Sequence, residues 1–461
     1  MSTTAFSSLN LKSELISNIE TLGYDAMTPI QQQSLPAILK GQDVIAQAQT
    51  GSGKTAAFSL GILQKLNVKQ FRIQSLVLCP TRELADQVAI ELRKLGRSIH
   101  NIKILSLCGG VPIGPQIGSL EHGAHIIVGT PGRLQDHLRK GTLNLEHVEL
   151  LVLDEADRML DMGFQDAMDA IIEHIPKNRQ TLMFSATFTD EIQTIAERIQ
   201  HEPIRVKVDS IHQQTTIHQY FYPVENHQHR KKALQLVLQH FEPQSSIIFC
   251  NTKIETQEIA DHLQSLGFST IALHGDLEQR ERNQALIQFS NKSISMLVAT
   301  DVAARGLDID AVDAVINYEI SRDPDAHIHR IGRTGRAGNK GIACSFLMEK
   351  EIYKFERLQQ SLQQTFSMTP LPNEEVLHKK IFYPPMVSIQ ISGGKKHKLR
   401  AGDILGALTS DKKIDGISVG KINIFDNHSF VAVSHKIVKM ALGKLQSGKM
   451  KGRSFQARLC R

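Results

Sequence analysis

The regular alternation of short apolar runs with longer helical stretches constrains the fold of this chain most strongly. Residues 1–365 contain two series of β-branched runs, each three to five residues long. The first series is Val44 to Ala46, Ser75 to Leu78, Ile126 to Val128, Leu150 to Leu153 and Thr181 to Phe184. The second is Ile247 to Cys250, Thr270 to Leu273, Met296 to Ala299, Ala314 to Asn317 and Ile342 to Phe346. Strands buried on both faces of a parallel sheet are apolar along their whole length, and helices connect them. The sequence therefore predicts two consecutive α/β domains.

Two breaks in the pattern predict the domain boundaries. Residues 201–216 are polar and without periodicity, which is typical of a linker, and prolines at 370, 372, 384 and 385 prevent a continuous helix. We expect a first domain over 1–206, a linker over 207–216, a second domain over 217–366, a second linker over 367–385, and a third domain over 386–461.

The third segment carries a different pattern. Its predicted order is β-α-β-β-α-β, with strands over 387–391, 417–424, 430–433 and 455–459 and helices over 401–408 and 437–445. This is the order of a domain that resembles the RNA-recognition motif, an α+β fold. Many ferredoxin-like domains share the order, so it does not by itself indicate RNA binding.

Charge is distributed unevenly along the chain. From residue 371 onward there are 17 Lys and Arg against 6 Asp and Glu, a net charge of +11, which leaves −5 for the first 370 residues out of the total of +6. A basic domain on a nearly neutral body is typical of a nucleic-acid anchor. A merely soluble, charged domain is the alternative, and charge alone does not separate the two.

Several classes of protein are disfavoured by composition. No apolar run approaches the ~18 residues that cross a bilayer. The N-terminal segment lacks a basic start followed by an apolar block, so it does not resemble a signal peptide. Five widely spaced cysteines, an odd number, favour buried thiols in a reducing compartment, by default the cytoplasm. His227 and His229 have no partner at a zinc-site spacing, so we expect no structural metal.

A phosphate-binding loop follows the first predicted strand. The sequence Ala48-Gln49-Thr50-Gly51-Ser52-Gly53-Lys54-Thr55 lies between that strand and a helical segment. In this context glycines let backbone N–H groups approach phosphates, Lys supplies a point charge and Thr supplies a hydroxyl for Mg²⁺. The segment predicts a nucleotide site.

Two adjacent carboxylates follow the strand that ends at Leu153. Asp154-Glu155-Ala156-Asp157 falls at the carboxyl edge of the predicted sheet, where open α/β folds bind ligands. Asp154 is placed to hold Mg²⁺ through its water shell, and Glu155 to orient or deprotonate the attacking water. An ordinary helix N-terminus also favours acidic residues, but the neighbouring phosphate loop makes catalysis the better interpretation.

Three arginines occur together in the second half of the chain. The segment His329-Arg330-Ile331-Gly332-Arg333-Thr334-Gly335-Arg336 is broken by two glycines, which disfavour an uninterrupted solvated helix. Arginines spaced three apart can converge on one anion, and phosphoryl transfer requires cations that balance charge on the γ-phosphate.

Taken together, these motifs resemble those of the DEAD-box RNA helicases from Phe6 to about Met348. Besides the tetrad from Asp154 to Asp157, the chain has Gly23-Tyr24 with Thr28-Pro29-Ile30-Gln31, which is similar to the family's adenine-binding motif. The remaining motifs occur in family order: Pro80 to Leu84, Gly109-Gly110, Thr130 to Arg133, Ser185 to Thr187, Gln279 with Arg282, and Ala299 to Asp308. The resemblance implies two tandem RecA-like parallel-sheet domains.

The resemblance also implies a role for each motif residue in an ATP site. Gln31 would pair with the edge of adenine, with Phe6 and Tyr24 nearby. Asp308 would bind the ribose, and Arg333 and Arg336 would contact the γ-phosphate. Nucleotide contacts are implied for Ala48, Gln49, Thr50, Gly51, Ser52, Gly53, Lys54 and Thr55. Mg²⁺ contacts are implied for Thr55 and Asp154, the latter through water.

A second implied set grips RNA or couples the domains. Sugar–phosphate contacts with a single RNA strand are implied for Thr81, Arg82, Gly110, Thr130, Arg133, Arg282 and Thr300. Domain coupling is implied for Asp157, Ser185, Thr187 and His329. Because the phosphate loop and the arginines belong to different domains, hydrolysis would require closure over ATP and RNA.

The third segment resembles the RNA-binding domain of the bacterial DbpA and YxiN subfamily, whose members act on large-subunit ribosomal RNA. Its third strand departs from the usual aromatic signature, and only Phe430 and Val431 remain. We therefore expect RNA to be bound by a basic edge rather than by the sheet face. The candidate residues lie in loops or at element ends: Lys395, Lys396, Lys398, Arg400, Lys449, Lys451 and Arg453.

The sequence thus predicts a cytoplasmic, monomeric, ATP- and Mg²⁺-dependent RNA helicase that unwinds ribosomal RNA locally during ribosome assembly. An ATP-dependent RNA clamp or chaperone, whose unwinding is incidental, is the alternative. A DNA translocase is disfavoured by the Gln31 segment and by the third domain.

Overall fold

The computed structural model describes residues 4–48, 51–208, 217–304, 311–335 and 340–460. These residues form two compact units, divided between residues 208 and 217. In the described ranges, no helix combines the length and the apolar character needed to span a bilayer.

The first unit is built on a seven-stranded, all-parallel sheet in the order β3-β4-β2-β5-β6-β1-β7. Its strands are β1 Val44–Gln47, β2 Ser75–Leu78, β3 Ile104–Leu107, β4 Ile126–Gly129, β5 Leu150–Asp154, β6 Gln180–Ser185 and β7 Ile204–Lys207. Successive side chains of one strand enter different cores: Val44 and Ala46 pack on one face of the sheet, and Ile45 on the other. Burial on both faces explains the continuous apolar runs in the sequence.

Helices cover both faces of this sheet. They are α1 Ser13–Thr21, α2 Pro29–Leu39, α3 Lys54–Lys65, α4 Arg82–Leu95, α5 Gly114–Glu121, α6 Pro131–Arg139, α7 Ala156–Asp161, α8 Gln165–Ile172 and α9 Asp190–Ile199.

The polar stretch that begins at residue 201 contains an edge strand of this unit. β7 pairs in parallel with β1 along its whole length, which fits a first domain that continues to about residue 206. Only Val206 of β7 is buried, so this edge strand carries polar residues on its solvent side and lacks the apolar run of a central strand.

The second unit contains a six-stranded parallel sheet in the order β10-β11-β9-β12-β13-β8. The strands are β8 Ile217–Pro223, β9 Ser246–Cys250, β10 Thr270–Leu273, β11 Met296–Thr300, β12 Ala314–Asn317 and β13 Gly341–Leu347. The helices are α10 His227–Phe241, α11 Lys253–Ser265, α12 Gln279–Ser290, α13 Asp301–Ala304, α14 Pro324–Ile331 and α15 Ile352–Leu362.

The segment that we expected to be a second linker packs along this sheet domain. Thr369 N–H donates to Phe221 O at 2.7 Å, and Lys379 Nζ lies 2.7 Å from Glu242 Oε1. Ile381 and Phe382 pack against the apolar core. The prolines prevent a helix, but they do not leave the segment detached.

The rest of the unit is an antiparallel four-stranded sheet, ordered β15-β16-β14-β17, with two helices on one face. The elements are β14 Met386–Ile391, α16 Ala401–Thr409, β15 Val419–Ile424, β16 Ser429–Ser434, α17 Val438–Ser447 and β17 Ala457–Leu459. The β-α-β-β-α-β order is therefore confirmed.

The other face of this antiparallel sheet packs against the parallel-sheet domain, at the turn that follows α12. Ser388 is 1% exposed, and its Oγ lies 2.7 Å from Ser293 Oγ and 3.3 Å from Asn291 Nδ2. Met386 N–H donates to Lys292 O at 3.3 Å. In an RNA-recognition motif this face stacks bases on aromatic rings. Here Phe430 is only 2% exposed, so this ring is not available for stacking.

Candidate active site and RNA-binding surfaces

The carboxyl edge of the first sheet has two halves. Strands β5, β6 and β1 are neighbours, and they lead to Asp154, to Ser185 and to the phosphate loop. Strands β3, β4 and β2 are also neighbours, and they lead to Gly110, Thr130 and Thr81. Because parallel strands end at one edge, the candidate nucleotide residues and the candidate RNA residues form two adjoining groups.

The phosphate loop is held by glycine geometry and by a buried lysine. Gly53 has φ = 96° and lies directly before α3, so the helix N-terminus faces the loop. Lys54 is 6% exposed, and its Nζ donates to Ala48 O at 2.6 Å. Gln49 and Thr50, two of the predicted contacts, lie outside the described residues. The described part of the loop has the geometry expected of a phosphate site.

Gln31 contacts the phosphate loop directly. Its Nε2 donates to Gly53 O at 3.0 Å, and its Oε1 accepts from Thr28 N–H at 2.9 Å. A Cβ on Gly53 would lie 2.6 Å from Gln31 Nε2, so only glycine allows this approach. An amide has a second proton and a second lone pair, which leaves it able to pair with a base edge.

The two aromatic residues predicted near adenine meet each other. The rings of Phe6 and Tyr24 are 6.3 Å apart in an edge-to-face contact. Phe6 is 4% exposed, while Tyr24 donates its hydroxyl to Glu91 at 2.5 Å and carries Lys94 Nζ over its ring. Phe6 therefore belongs to the hydrophobic core, and its position near adenine stays a prediction.

Asp154 is a buried carboxylate without sufficient partners. Burial raises its pKa to about 7, while the Lys54 ammonium acts in the opposite direction. Its Oδ1 has no hydrogen-bond partner among the described residues. An orphaned anionic oxygen beside a phosphate loop fits a hydrated Mg²⁺ ion, which prefers carboxylate and water oxygens. Thr55, at the start of α3, is partly exposed and can supply a hydroxyl.

Glu155 is held in an unusual conformation. Its backbone is left-handed, with φ = 53° and ψ = 53°, immediately before α7. A non-glycine residue in a sparsely populated region costs on the order of 1 kcal/mol and must be held by its surroundings. Arg158 Nη1 lies 3.4 Å from Glu155 Oε2, an ion pair in which both side chains are buried. Sequence reasoning missed Arg158, although its position three residues after Glu155 was a usable signal.

The second aspartate of the tetrad binds the segment after β6. Asp157 Oδ2 accepts from Ala186 N–H, Thr187 N–H and Thr187 Oγ1 at 3.0–3.1 Å. Three hydrogen bonds to one carboxylate oxygen fix the two motifs to each other. Ser185 is 1% exposed, and its Oγ has no partner among the described residues. The structure therefore places Asp157, Ser185 and Thr187 together.

The candidate RNA residues of this unit also cluster. A Cβ on Gly110 would lie 1.5 Å from Arg82 Nη1, so the guanidinium of Arg82 occupies the space that glycine leaves. Arg133 donates to Gln116 Oε1 at 3.0 Å and to Val111 O at 2.9 Å. Thr81 and Thr130 precede α4 and α6, whose N-termini point to the same edge. Cations and helix N-termini together suit a phosphate backbone.

In the second unit, the remaining candidate RNA residues follow neighbouring strands. Thr300 ends β11, which pairs with β10, and Arg282 donates to His274 O just after β10 at 3.4 Å. These side chains therefore lie at one edge of the second sheet.

The arginine-rich segment divides into different roles. Arg330 is 1% exposed; its Nε and Nη2 bind both carboxylate oxygens of Asp301 at 2.6 and 2.7 Å, and it also contacts Asn317, Glu319 O and Asn251. Arg330 therefore has a structural role, because its guanidinium is already paired with the partly exposed carboxylate of Asp301. The predicted role in contacting the γ-phosphate concerns Arg333 and Arg336 only.

The other members of this segment are only partly described. His329 lies on α14 and is partly exposed, whereas Arg333 follows that helix and is 4% exposed. Arg336 and the predicted ribose ligand Asp308 lie outside the described residues. Their roles stay predictions.

The seven basic residues proposed for the terminal domain are all exposed and belong to two loops that touch. Lys451 Nζ donates to Lys398 O at 2.7 Å and lies 3.3 Å from Asp403 Oδ2. The ring of His397 meets that of Phe455 at 5.8 Å, which joins the same two loops. We call residues 395–400 and 449–453 the basic loop pair.

Three family models match the chain in order. They are "DEAD/DEAH box helicase" over residues 28–195, "Helicase conserved C-terminal domain" over 228–338, and "DbpA RNA binding domain" over 388–459. The chain is 50% identical over 458 residues to the ATP-dependent RNA helicase DbpA of Escherichia coli (strain K12), covering 99% of both chains. It is 45% identical to the DEAD-box ATP-dependent RNA helicase CshA of Geobacillus kaustophilus (strain HTA426), covering 81% of this chain and 80% of the relative.

Solved structures agree with these matches. Dbp5 of S. cerevisiae bound to RNA and ADP BeF3 is 32% identical with a TM-score of 0.73, covering 81% of this chain and 96% of that one. Mss116p bound to single-stranded RNA and AMP-PNP is 28% identical with a TM-score of 0.70, covering 79% of this chain and 78% of that one. This chain belongs to the DEAD-box family of ATP-dependent RNA helicases, which are RNA-dependent ATPases, and it carries a DbpA RNA-binding domain at its C-terminal end.

Proposed function

We propose that this helicase unwinds short duplexes of large-subunit ribosomal RNA during ribosome assembly in the cytoplasm. The observation that carries this proposal is the basic loop pair. The loop pair contains seven exposed cationic residues. It belongs to a domain whose open sheet face already packs against the second helicase domain. A surface of this kind anchors the protein to a structured RNA by shape and charge.

The ATP site divides its chemistry among a few side chains. Lys54 and the N–H groups at the start of α3 bind phosphates, and Asp154 with Thr55 would hold Mg²⁺. When bound, Mg²⁺ would supply positive charge that offsets the charge developing on the phosphate oxygens. Glu155, fixed by Arg158, orients the attacking water and accepts its proton. Arg333 and Arg336 balance charge on the γ-phosphate.

RNA binding by the two helicase domains is independent of sequence. Arg82, Arg133 and Arg282 supply cations, while Thr81, Thr130 and Thr300 supply hydroxyl or N–H donors for sugar and phosphate. Such contacts hold one strand in position without distinguishing bases. Sequence or shape selection therefore belongs to the terminal domain.

Residues of the tetrad from Asp154 to Asp157 couple ATP hydrolysis to RNA binding. Asp157 binds the carboxylate motif to the segment from Ser185 to Thr187. In the closed state, with ATP and RNA bound, His329 of the second domain would contact that segment. Closure then bends the bound strand so that it no longer fits a duplex, and hydrolysis reopens the protein. The chain acts as a monomer and separates strands locally.

The test compares ATP turnover with three nucleic acids: total ribosomal RNA, a transfer RNA and duplex DNA. We expect strong stimulation by ribosomal RNA, weak stimulation by transfer RNA and none by duplex DNA. Equal stimulation by all three would contradict ribosomal targeting. A strand-separation assay on the same samples decides between helicase and clamp, because a clamp hydrolyses ATP without releasing the displaced strand.

A further inference from the structure

A cleft of about 620 Å³ lies where the terminal domain meets α12. One wall is Arg280, in the first turn of α12. The opposite wall comes from β14, from β17 and from the residues just before β17, and it includes Gln390, Ser392, Gln456 and Arg458. Two domains of different fold therefore build this cleft together.

The cleft is cationic and rich in hydrogen-bonding groups. Of the described residues that line it, two are arginines and none is a carboxylate. Arg458 donates from Nε and Nη2 to Gln390 Oε1 at 3.1 and 3.0 Å. This partner is a neutral amide, so it orients the guanidinium without cancelling its charge. Neither Arg280 nor Arg458 forms an ion pair with a carboxylate in the described part of the chain.

Two like charges that share a cleft repel each other, and an anion bound between them offsets that repulsion. A phosphodiester suits the site, because guanidinium groups bind phosphate oxygens through paired N–H donors. The surrounding amides and the hydroxyl of Ser392 suit the sugar and the remaining phosphate oxygens. Arg458 is fixed in advance by Gln390, which lowers the entropy lost when it binds an anion.

The position of the cleft indicates which molecule supplies that anion. On one side Phe455 lines the cleft and touches His397 of the basic loop pair. On the other side Arg280 lies in the same first turn of α12 as Arg282, a candidate for gripping the RNA strand in the second helicase domain, although the two side chains leave the helix on different faces. The cleft is therefore a positively charged site between two surfaces that the proposed function assigns to RNA binding.

We propose that the cleft binds the sugar–phosphate backbone of RNA, with one phosphate held between Arg280 and Arg458. It would thereby join the RNA anchored on the basic loop pair to the strand held by the second helicase domain. This inference rests on the proposed function for its two flanking surfaces. It adds a specific site, and it gives the docking of the terminal domain a role in orienting RNA.

The first test measures RNA affinity of the full chain as a function of salt, with a single-stranded RNA long enough to cover both domains. Arg280→Gln and Arg458→Gln should each weaken binding about tenfold, as expected for loss of a charge-assisted contact. Because both arginines hold one phosphate, the double variant should lose far less than the product of the single losses. The slope of log affinity against log salt should fall by about 0.7. Arg357→Gln, an exposed arginine on α15, is the charge-matched control and should leave the affinity unchanged.

A second measurement keeps both arginines and does not depend on their structural role. Ser454→Cys, at the rim of the cleft, is labelled with a photoreactive group and irradiated with the same RNA. Crosslinking should be strong, whereas the exposed Ser361→Cys on α15 should give only the background of the unsubstituted protein. Unchanged affinity in both arginine variants, or equal crosslinking at the two cysteines, would overturn the proposal. Inorganic phosphate that abolishes the crosslink at low concentration would assign the cleft to a free anion and would also overturn it.

The outcome is separable from that of the proposed function. If ribosomal RNA stimulates ATP turnover no better than other RNA, ribosomal targeting fails, yet the crosslink still reports whether RNA occupies the cleft. If targeting holds and the crosslink is absent, only this inference fails.

Discussion

Replacing Gly110 by alanine should weaken RNA binding without affecting the ATP site. Gly110 has φ = +72°, and a Cβ there would lie 1.5 Å from Arg82 Nη1 and 2.2 Å from Arg82 Cζ. No non-bonded heavy atoms approach so closely, so Gly110→Ala must move the guanidinium of Arg82. If Arg82 contacts an RNA phosphate, losing that charge-assisted contact costs about 1.5–3 kcal/mol, or roughly 10- to 150-fold in affinity.

The left-handed backbone at Gly110 adds a separate loss of folding stability when alanine replaces glycine. A matched control variant corrects for that loss. Gly163 has φ = +73°, but a Cβ there would meet nothing within 4 Å. Both alanine variants should therefore lose about 1 kcal/mol of stability from backbone strain. Only Gly110→Ala displaces Arg82, so the difference between the two variants isolates the steric effect on RNA binding.

The assay is RNA-stimulated ATP turnover, from which the RNA concentration at half-maximal stimulation is read. Gly110→Ala should raise that concentration at least tenfold and leave the rate at saturating RNA nearly unchanged, while Gly163→Ala should match the parent protein. In the double variant Gly110→Ala/Arg82→Gln the loss should not exceed that of Arg82→Gln. Equal RNA requirements for the two glycine variants would refute the reasoning.

Three further outcomes are expected. Lys54→Ala and Glu155→Gln should each nearly abolish ATP hydrolysis. The Glu155→Gln protein should still bind RNA tightly in the presence of ATP, because Asp154 keeps its Mg²⁺. Turnover by the Glu155→Gln protein at the parent rate would show that Glu155 has another role. Arg330→Met should destabilise the second unit by about 3 kcal/mol in chemical denaturation, because it removes the buried donor of Asp301, Asn317, Glu319 O and Asn251. A change below about 1 kcal/mol would contradict this. Burial raises the pKa of Asp154 to about 7, and Mg²⁺ binds the ionised form of this carboxylate. The value of kcat/KM for ATP should therefore fall towards tenfold for each pH unit below pH 7 and become constant above it. A flat profile between pH 6 and 8 would show that Asp154 is ionised throughout.

The central strands were predictable because burial on both faces leaves a clear apolar signal. The strands that the sequence pattern did not reveal are β3, β7 and β8, and each of them lies at an edge of its sheet. Edge strands meet water on one side and carry polar residues there, as Arg205 and Lys207 do in β7. The polarity of β7 is the reason why its segment resembled a linker.

Motifs identified the site better than they identified its supporting contacts. Spacing indicated the phosphate loop and the carboxylates, because those residues are consecutive. It did not reveal the ion pair between Arg330 and Asp301, whose partners are 29 positions apart, nor the covered face of the terminal sheet. Such contacts depend on how segments distant in sequence pack together, and a local sequence pattern does not contain that information.

The structure also indicates where a truncation of the terminal domain should fall. Because Ile381 and Phe382 pack against the core of the second helicase domain, a cut after residue 371 would strip part of that core. A cut after residue 385 spares it and still removes 15 Lys and Arg against 4 Asp and Glu, a net charge of +11.

The central claim is that this terminal domain directs an otherwise indiscriminate ATP-dependent motor to one structured RNA. Its most direct test compares the full chain with a chain ending at residue 385, measuring ATP turnover with large-subunit ribosomal RNA and with arbitrary RNA over a range of salt. Tethering raises the local RNA concentration at the motor and releases counterions. Truncation should therefore abolish the preference for ribosomal RNA and flatten the salt dependence of its binding, while the rate at saturating RNA changes little. An equal loss of the saturated rate on every RNA would contradict the account, because it would make the domain part of the motor.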